Sequence, residues 1–220
     1  MKLWISTPIA AALALIGVLA FTGQSTQGQA PRTYRAPRTA DGKPNLNGIW
    51  QAVNTANWDI QDHAARQGPV LALGAAFSVP AGLGVVEGNE LPYLPAALDK
   101  KKENAQNWLT RDPEIKCYSP GVPRATYMPY PFQIVQTPSH LLIAYEFASA
   151  TRTVYMNSKS EAPFETWMGH SNGRWEGETL VVDVNSFNDA TWFDRAGNHH
   201  SEEMTVTERY TATGPDSLWY

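Results

Sequence analysis

The sequence predicts a mainly β protein: an antiparallel meander forming a lipocalin-like barrel or curved sheet, preceded by one helix and a long irregular N-terminal segment. Three observations predict it. Beyond Phe132 apolar residues recur with period two in short runs divided by turn residues, the pattern of half-buried strands. The chain also holds 16 Pro, 16 Gly and 8 Trp, a mix that favours turns and aromatic packing over a helical bundle. Only Pro95 to Trp108 carries a helical apolar period. At 220 residues the chain makes one domain with a tail, and it buries enough surface to fold without a disulfide framework.

Taken in order, Lys2 and the apolar run Pro8 to Phe21, followed by polar residues from Thr22, form a signal peptide over residues 1–30. Export to a periplasm or to the outside of the cell follows from it. The run is shorter than a membrane span of ~20 residues, and no cysteine follows to anchor a lipid, so no stable membrane insertion is expected after cleavage. Cleavage after Ser25, Gly28 or Ala30 fits the small residues equally well. Residues 31–48, with Arg32, Arg35, Arg38 and Lys43 among Pro, Gly and Asn, read as an extended, solvated arm. Residues 49–220 read as a single β-rich domain.

Asn45 to Val53 predicts a first strand that enters the core with Trp50. Residues 68–92 are Gly-, Ala- and Pro-rich without a period and predict a surface loop. The helix puts Ala97, Leu98, Ala105, Trp108 and Leu109 on its core side and Lys100 to Lys102 in water, and Asp112-Pro113 ends it. Five prolines between 113 and 131 predict extended, turning chain. Strands follow at 132–136, 141–147, 151–156, 173–175, 179–185 and 204–210, with Glu176-Gly177-Glu178 as a three-residue hairpin connection. Asp216 to Tyr220 reads as the start of another strand, so a chain cut short at its C-terminus is expected.

Four runs occur together: Asp41 to Trp50 (DGKPNLNGIW), Pro129 to Pro138 (PYPFQIVQTP), Gly173 to Asp183 (GRWEGETLVVD) and Val206 to Tyr210 (VTERY). In this combination residues 41–220 resemble a family of exported, β-rich proteins of soil and marine bacteria to which no reaction is assigned. The resemblance implies a barrel-like single domain that continues with further strands and a second cysteine. It thereby implies a disulfide partner for Cys117, the one cysteine of this chain. It carries over no catalytic role.

With 17 basic against 21 acidic residues and a pI near 5.7, the chain is not a nucleic-acid-coating protein. The densest chemistry lies between Asp183 and Glu203. There His200 with Asp189 or Asp194 is a candidate catalytic acid–base pair on a loop between strands. The same Asp residues also suit turn capping, with Asp194 free to pair with Arg195 or Arg209. His199 and His200 are adjacent and point to opposite faces of a strand, so they do not share an ion. The oxygen donors Asp183, Asn185, Asn188, Asp189 and Asp194 match no standard calcium loop. No metal or cofactor is therefore expected. No Gly-x-Ser-x-Gly elbow is present, and the glycines of 81–88 are not placed to cradle a phosphate.

Trp192, Trp175, Trp167, His170 and Tyr130 are the candidate ligand contacts, since small-molecule pockets are mainly aromatic and apolar with a few polar groups. The leading expectation is an exported β-barrel that binds a small apolar or aromatic molecule. Behind it stand an enzyme of hydrolase or isomerase type on the same scaffold, and a partner-binding module presenting the arm and the 68–92 loop.

Overall fold

Eight strands form one sheet that curls almost into a barrel around an apolar interior. A computed structural model describes residues 34–220 except Pro69, Phe77 and Glu161; the expected signal peptide at 1–30 lies outside the described residues. The strands are β1 (Gly48–Trp50), β2 (Phe132–Gln136), β3 (His140–Tyr145), β4 (Thr151–Met156), β5 (His170–Glu176), β6 (Thr179–Asn185), β7 (Val206–Gly214) and β8 (Ser217–Trp219). Their order in the sheet is their order in the chain. Every neighbouring pair is antiparallel except β4 and β5, which run parallel with Val154 opposite Ser171 and Met156 opposite Gly173. A parallel pair needs a crossover, and residues 157–169 supply it.

Period-two alternation does what the sequence demands. Leu141, Ile143, Val154, Leu180 and Val182 face inward and are essentially solvent-free. Each such side chain contributes ~1.5–3 kcal/mol by leaving water. The β5–β6 turn is shorter than its composition predicts: Glu176 pairs with Thr179, which leaves the two residues Gly177 and Glu178. Of the two, Gly177 alone has positive φ (63°), the geometry in which glycine at the first turn position matches the twist of the strands.

Among the described residues three α-helices lie outside the sheet: α1 (Pro95–Gln106), α2 (Trp108–Arg111) and α3 (Arg124–Tyr127). The face of α1 differs from the expected one. Leu98 and Leu109 are about 40% exposed, whereas Asn104 is buried and its amide reaches the Gly197 carbonyl. Lys101, expected in water, donates to Gln61 Oε1 at 2.7 Å and lies over the Tyr93 ring. The lysine stem covers apolar surface while its ammonium finds an acceptor.

Two further segments are better packed than expected. Within the arm, Ala36 and Leu46 are buried, a turn joins Thr39 to Lys43, and Leu46 lends its carbonyl to Trp50 Nε1 at 3.0 Å. In the proline-rich stretch, Val122 and Ala125 enter the sheet core, while Thr126 Oγ1 meets Tyr145 Oη of β3 at 3.2 Å. Tyr127 joins a second cluster with Ala56 and Ile60. The prolines confine this backbone, and a confined backbone loses little entropy on entering a core.

A fully buried guanidinium holds α3 in place. Arg124 donates to both oxygens of Asp112 (2.7 and 2.9 Å), to Glu114 Oε2 (2.7 Å) and to Asn57 Oδ1 (3.2 Å). Glu114 in turn takes two hydrogen bonds from Arg195, at 2.8 and 2.6 Å. Removing one partner of such a set strands buried charge. Arg124→Met is expected to lower the unfolding free energy by about 3–5 kcal/mol in a urea titration. Arg111→Ala, which breaks the exposed pair with Glu103, is expected to cost about 0–1 kcal/mol.

Candidate functional site

The loop between β6 and β7 carries the predicted acid–base residues, and two of them, Asp194 and His200, have partners already. Asp194 is wholly buried. Its Oδ1 accepts from the backbone N–H of Ala196 (3.0 Å) and Asn198 (3.1 Å), and its Oδ2 accepts from Ile60 N (2.9 Å) and Asn198 Nδ2 (2.6 Å). Burial pushes its carboxyl up to about 6, against the pull of those donors, and nearby Asp59 adds to the rise. His200 packs against Phe187 and Phe193. Its Nδ1 faces the Ser201 carbonyl at 2.8 Å and so carries the proton, leaving Nε2 to accept from Thr191 Oγ1 at 2.6 Å. Burial lowers the His200 pKa, so the neutral ring is favoured. Asp189 is exposed, and neither it nor Asp194 hydrogen-bonds His200 among the described residues.

The neighbouring groups serve the same loop. His199 stacks on Tyr93 at 5.4 Å, and Trp192, buried, bridges to His199 through the backbone. Gly197 (φ 85°) leaves no room for a side chain, since a Cβ there would lie 2.6 Å from the Lys101 carbonyl of α1. Among the described residues no group of three or more His, Cys, Asp or Glu is arranged to hold a metal ion. Cys117 is exposed and free.

A cleft of about 380 Å³ opens beside β4 and β5, and it brings together two of the predicted ligand contacts, Trp167 and His170. Its origin is the short parallel pairing. The β4–β5 ladder covers only Val154 to Met156 against Ser171 to Gly173, so Thr151 to Thr153 and Thr166 to His170 are left unpaired with each other and line the gap. Tyr155 stacks on His170 at 5.1 Å and meets His140 edge-on at 5.3 Å, so three rings form a row across β3, β4 and β5. Tyr118 meets Trp167 edge-on at 5.3 Å. His170 Nε2 shares a hydrogen bond with Ser160 Oγ at 2.9 Å. Trp175 and Tyr130 lie elsewhere: Trp175 packs on the sheet core and Tyr130 against Phe147.

Behind this cleft a polar group crosses the barrel interior. Arg152 of β4 and Glu208 of β7 are both buried, with Nη2 2.7 Å from Oε2. Nη2 directs its hydrogen bond to Tyr210 Oη (2.9 Å), and Glu208 Oε1 accepts from Tyr210 (2.8 Å) and Tyr220 (2.9 Å). Burial alone would lower the Arg152 pKa, but the Glu208 carboxylate together with the Tyr145, Tyr210 and Tyr220 phenols more than offsets this and holds it well up. Burial and Glu208 likewise push the Tyr210 phenol well up, which keeps it a neutral donor. Arg152 Nε, Arg152 Nη1, Ser171 Oγ and Glu208 Oε2 are buried and have no hydrogen-bond partner among the described residues. Arg152 and Ser171 both line the cleft.

Arg152, Ser171, Tyr155 and Ser160 were not among the residues singled out by sequence. A signal for the first was present: Arg152 stands in phase with Val154 and Met156, and a charge in phase with core residues is a buried charge.

The loop's titration has a definite sign. An acid whose folded pKa is raised contributes stability that is complete below its ordinary 3.8 and is lost as pH rises through about 6. The amount is on the order of 3 kcal/mol. Glu114, whose pKa is lowered by Arg195 and Arg124 against the opposing effect of burial, works the other way, contributing above its ordinary 4.5 and losing that as pH falls through its depressed value. Carbon-13 titration is expected to place the Asp194 carboxyl midpoint near 6; a midpoint near 3.8 would refute the effect of burial. The stability deficit of Asp194→Asn is expected to shrink between about pH 4 and pH 7.

Comparison of the chain with protein-family models, with curated proteins and with solved structures gives no match.

Proposed function

We propose that this chain is an exported protein that holds a small apolar or aromatic molecule in the cleft beside β4 and β5. The observation that carries the reading is the convergence of Tyr155, Trp167 and His170 on one opening about 380 Å³ in volume, beside a packed apolar core. Binding sites for small molecules run from ~300 to ~1,000 Å³ and combine aromatic walls with a few fixed polar groups. Ring stacking adds about 0.5–1.5 kcal/mol per aromatic pair beyond the area it buries.

Binding is favoured over catalysis because both ring nitrogens of His200 are engaged by its own loop, and Asp194 spends its oxygens on four N–H donors. These groups position a loop, and exposed Asp189 hydrogen-bonds neither of them among the described residues. Export rests on Lys2, the apolar run Pro8 to Phe21 and the small residues after it. The resemblance of the four runs to exported bacterial β-rich proteins supports the same location.

Titration of the full chain with the neutral fluorophore N-phenylnaphthylamine tests the cleft. Trp167→Ala and Tyr155→Ala are each expected to weaken binding about ten-fold, while Trp192→Phe leaves it unchanged. Equal binding by all three variants would sink the proposal. N-terminal sequencing of the exported chain is expected to begin at Thr26, Gln29 or Pro31, and recovery with Met1 intact would count against export.

A further inference from the structure

Two buried arginines invite comparison. Around Arg124 the charges cancel, with Arg124 and Arg195 against Asp112 and Glu114, and each guanidinium nitrogen of Arg124 has an acceptor. Around Arg152 the charges also cancel, one guanidinium against the carboxylate of Glu208. The hydrogen bonds there do not. Among the described residues Arg152 Nε, Arg152 Nη1 and the Ser171 hydroxyl, all able to donate, are buried without partners, and the one unpartnered acceptor of the group, Glu208 Oε2, lies 2.7 Å from Arg152 Nη2. A buried donor without an acceptor forfeits its hydration and gets nothing back, which native interiors avoid.

The missing counterpart is therefore an acceptor that brings no charge. A carboxylate or phosphate would leave the buried group with a net negative charge beside Glu208, at a desolvation cost of the kind that the balanced Arg124 set avoids. A metal cation would meet the positive guanidinium of Arg152, with the Ser171 hydroxyl oxygen the only other group of the pair to ligate it. An uncharged carbonyl oxygen accepts hydrogen bonds without disturbing the Arg152–Glu208 balance. We infer that the cleft beside β4 and β5 selects a small aromatic molecule bearing a neutral carbonyl oxygen, which accepts hydrogen bonds from Arg152 and Ser171 while the aromatic body lies against Trp167 and Tyr155.

This inference rests on the cleft being the binding site. The two donor residues line it, and so does Met168, which is 9% exposed. Solvent does not reach the donor atoms, so seating the oxygen displaces part of the lining. Met168, unbranched and with several soft torsions, is the member able to yield.

Three ligands of one shape separate the terms: ethylnaphthalene has no acceptor, acetonaphthone carries a neutral carbonyl, and naphthoate carries a charge. Calorimetric titration of the full chain is expected to show acetonaphthone binding about ten-fold tighter than ethylnaphthalene and tighter than naphthoate. Ser171→Ala is expected to reduce the ketone-to-hydrocarbon ratio about three-fold. The paired change Arg152→Met with Glu208→Gln, which removes both charges together, is expected to abolish the ratio while ethylnaphthalene still binds. Should that double variant fail to fold, the Ser171→Ala ratio decides. Equal binding of ketone and hydrocarbon overturns the carbonyl inference and leaves the cleft reading standing. Tightest binding of naphthoate overturns it in favour of an anion site. Absence of binding by all three removes the cleft reading and the inference with it.

Discussion

The guanidinium of Arg124 is the contact on which the rest of the molecule is arranged. It sits on α3, 1% exposed, and gathers Asn57 from the irregular N-terminal segment with Asp112 and Glu114 from the turn after α2. Through Glu114 it reaches Arg195, whose own guanidinium lies 4.2 Å from the Trp58 ring centre and 5.5 Å from that of Trp108. Burying a charge is unfavourable by itself, and here it is tolerated because two cations and two carboxylates share one set of hydrogen bonds. That arrangement turns segments with no strand or long helix into a fixed wall. It also positions the loop from 186 to 203, which Asp194 then stiffens from within.

The second buried arginine does a different job. Arg152 and Glu208 lie on β4 and β7, three strands apart along the sheet, so their ion pair spans the interior. Thr126 of α3 approaches the same group through Tyr145 and Tyr210. The barrel interior thus changes from aliphatic at Leu141, Val154 and Val184 to polar at Arg152 and Glu208. The cleft lies at the edge of that polar group because the parallel β4–β5 ladder is short. A crossover without a helix brings the chain back beside β4 for only three residue pairs, against seven between β5 and β6. Parallel pairing is slightly less stable per residue, and where it stops the strands part and expose rings from both.

Much of the sheet was legible because alternation is a local property. Phe132 to Gln136, Thr151 to Met156 and Thr179 to Asn185 are strands whose inward residues are those the period assigns. The four distinctive runs fall on sheet elements: the turn into β1, β2, the β5–β6 hairpin and β7. Strand direction was not legible, since a period of two reads the same whether the neighbour runs up or down, and nothing in 157–169 signals a crossover helix. The burial of Leu46 and of Val122 to Met128 was hidden for another reason. Proline, glycine and polar residues mark irregular backbone, and irregular backbone is usually, though not always, at the surface.

Among candidate residues, aromatic type could not separate Trp167 and His170, which the fold brings to one opening, from Trp175, which fills space. The β class, the run of strands, the end of the long helix before Pro113 and the places where histidines and carboxylates gather can all be read along the chain. Each of these depends on neighbours a few residues away. Only the tertiary structure decided that Asp194 and His200 would be occupied by their own loop, that Arg124 would be fully paired, and that Arg152 and Ser171 would keep donors to spare behind a ring-lined cleft. Those outcomes depend on which acceptors arrive from strands and loops tens of residues away, and the balance of donors, acceptors and charge in a buried group exists only once they have met.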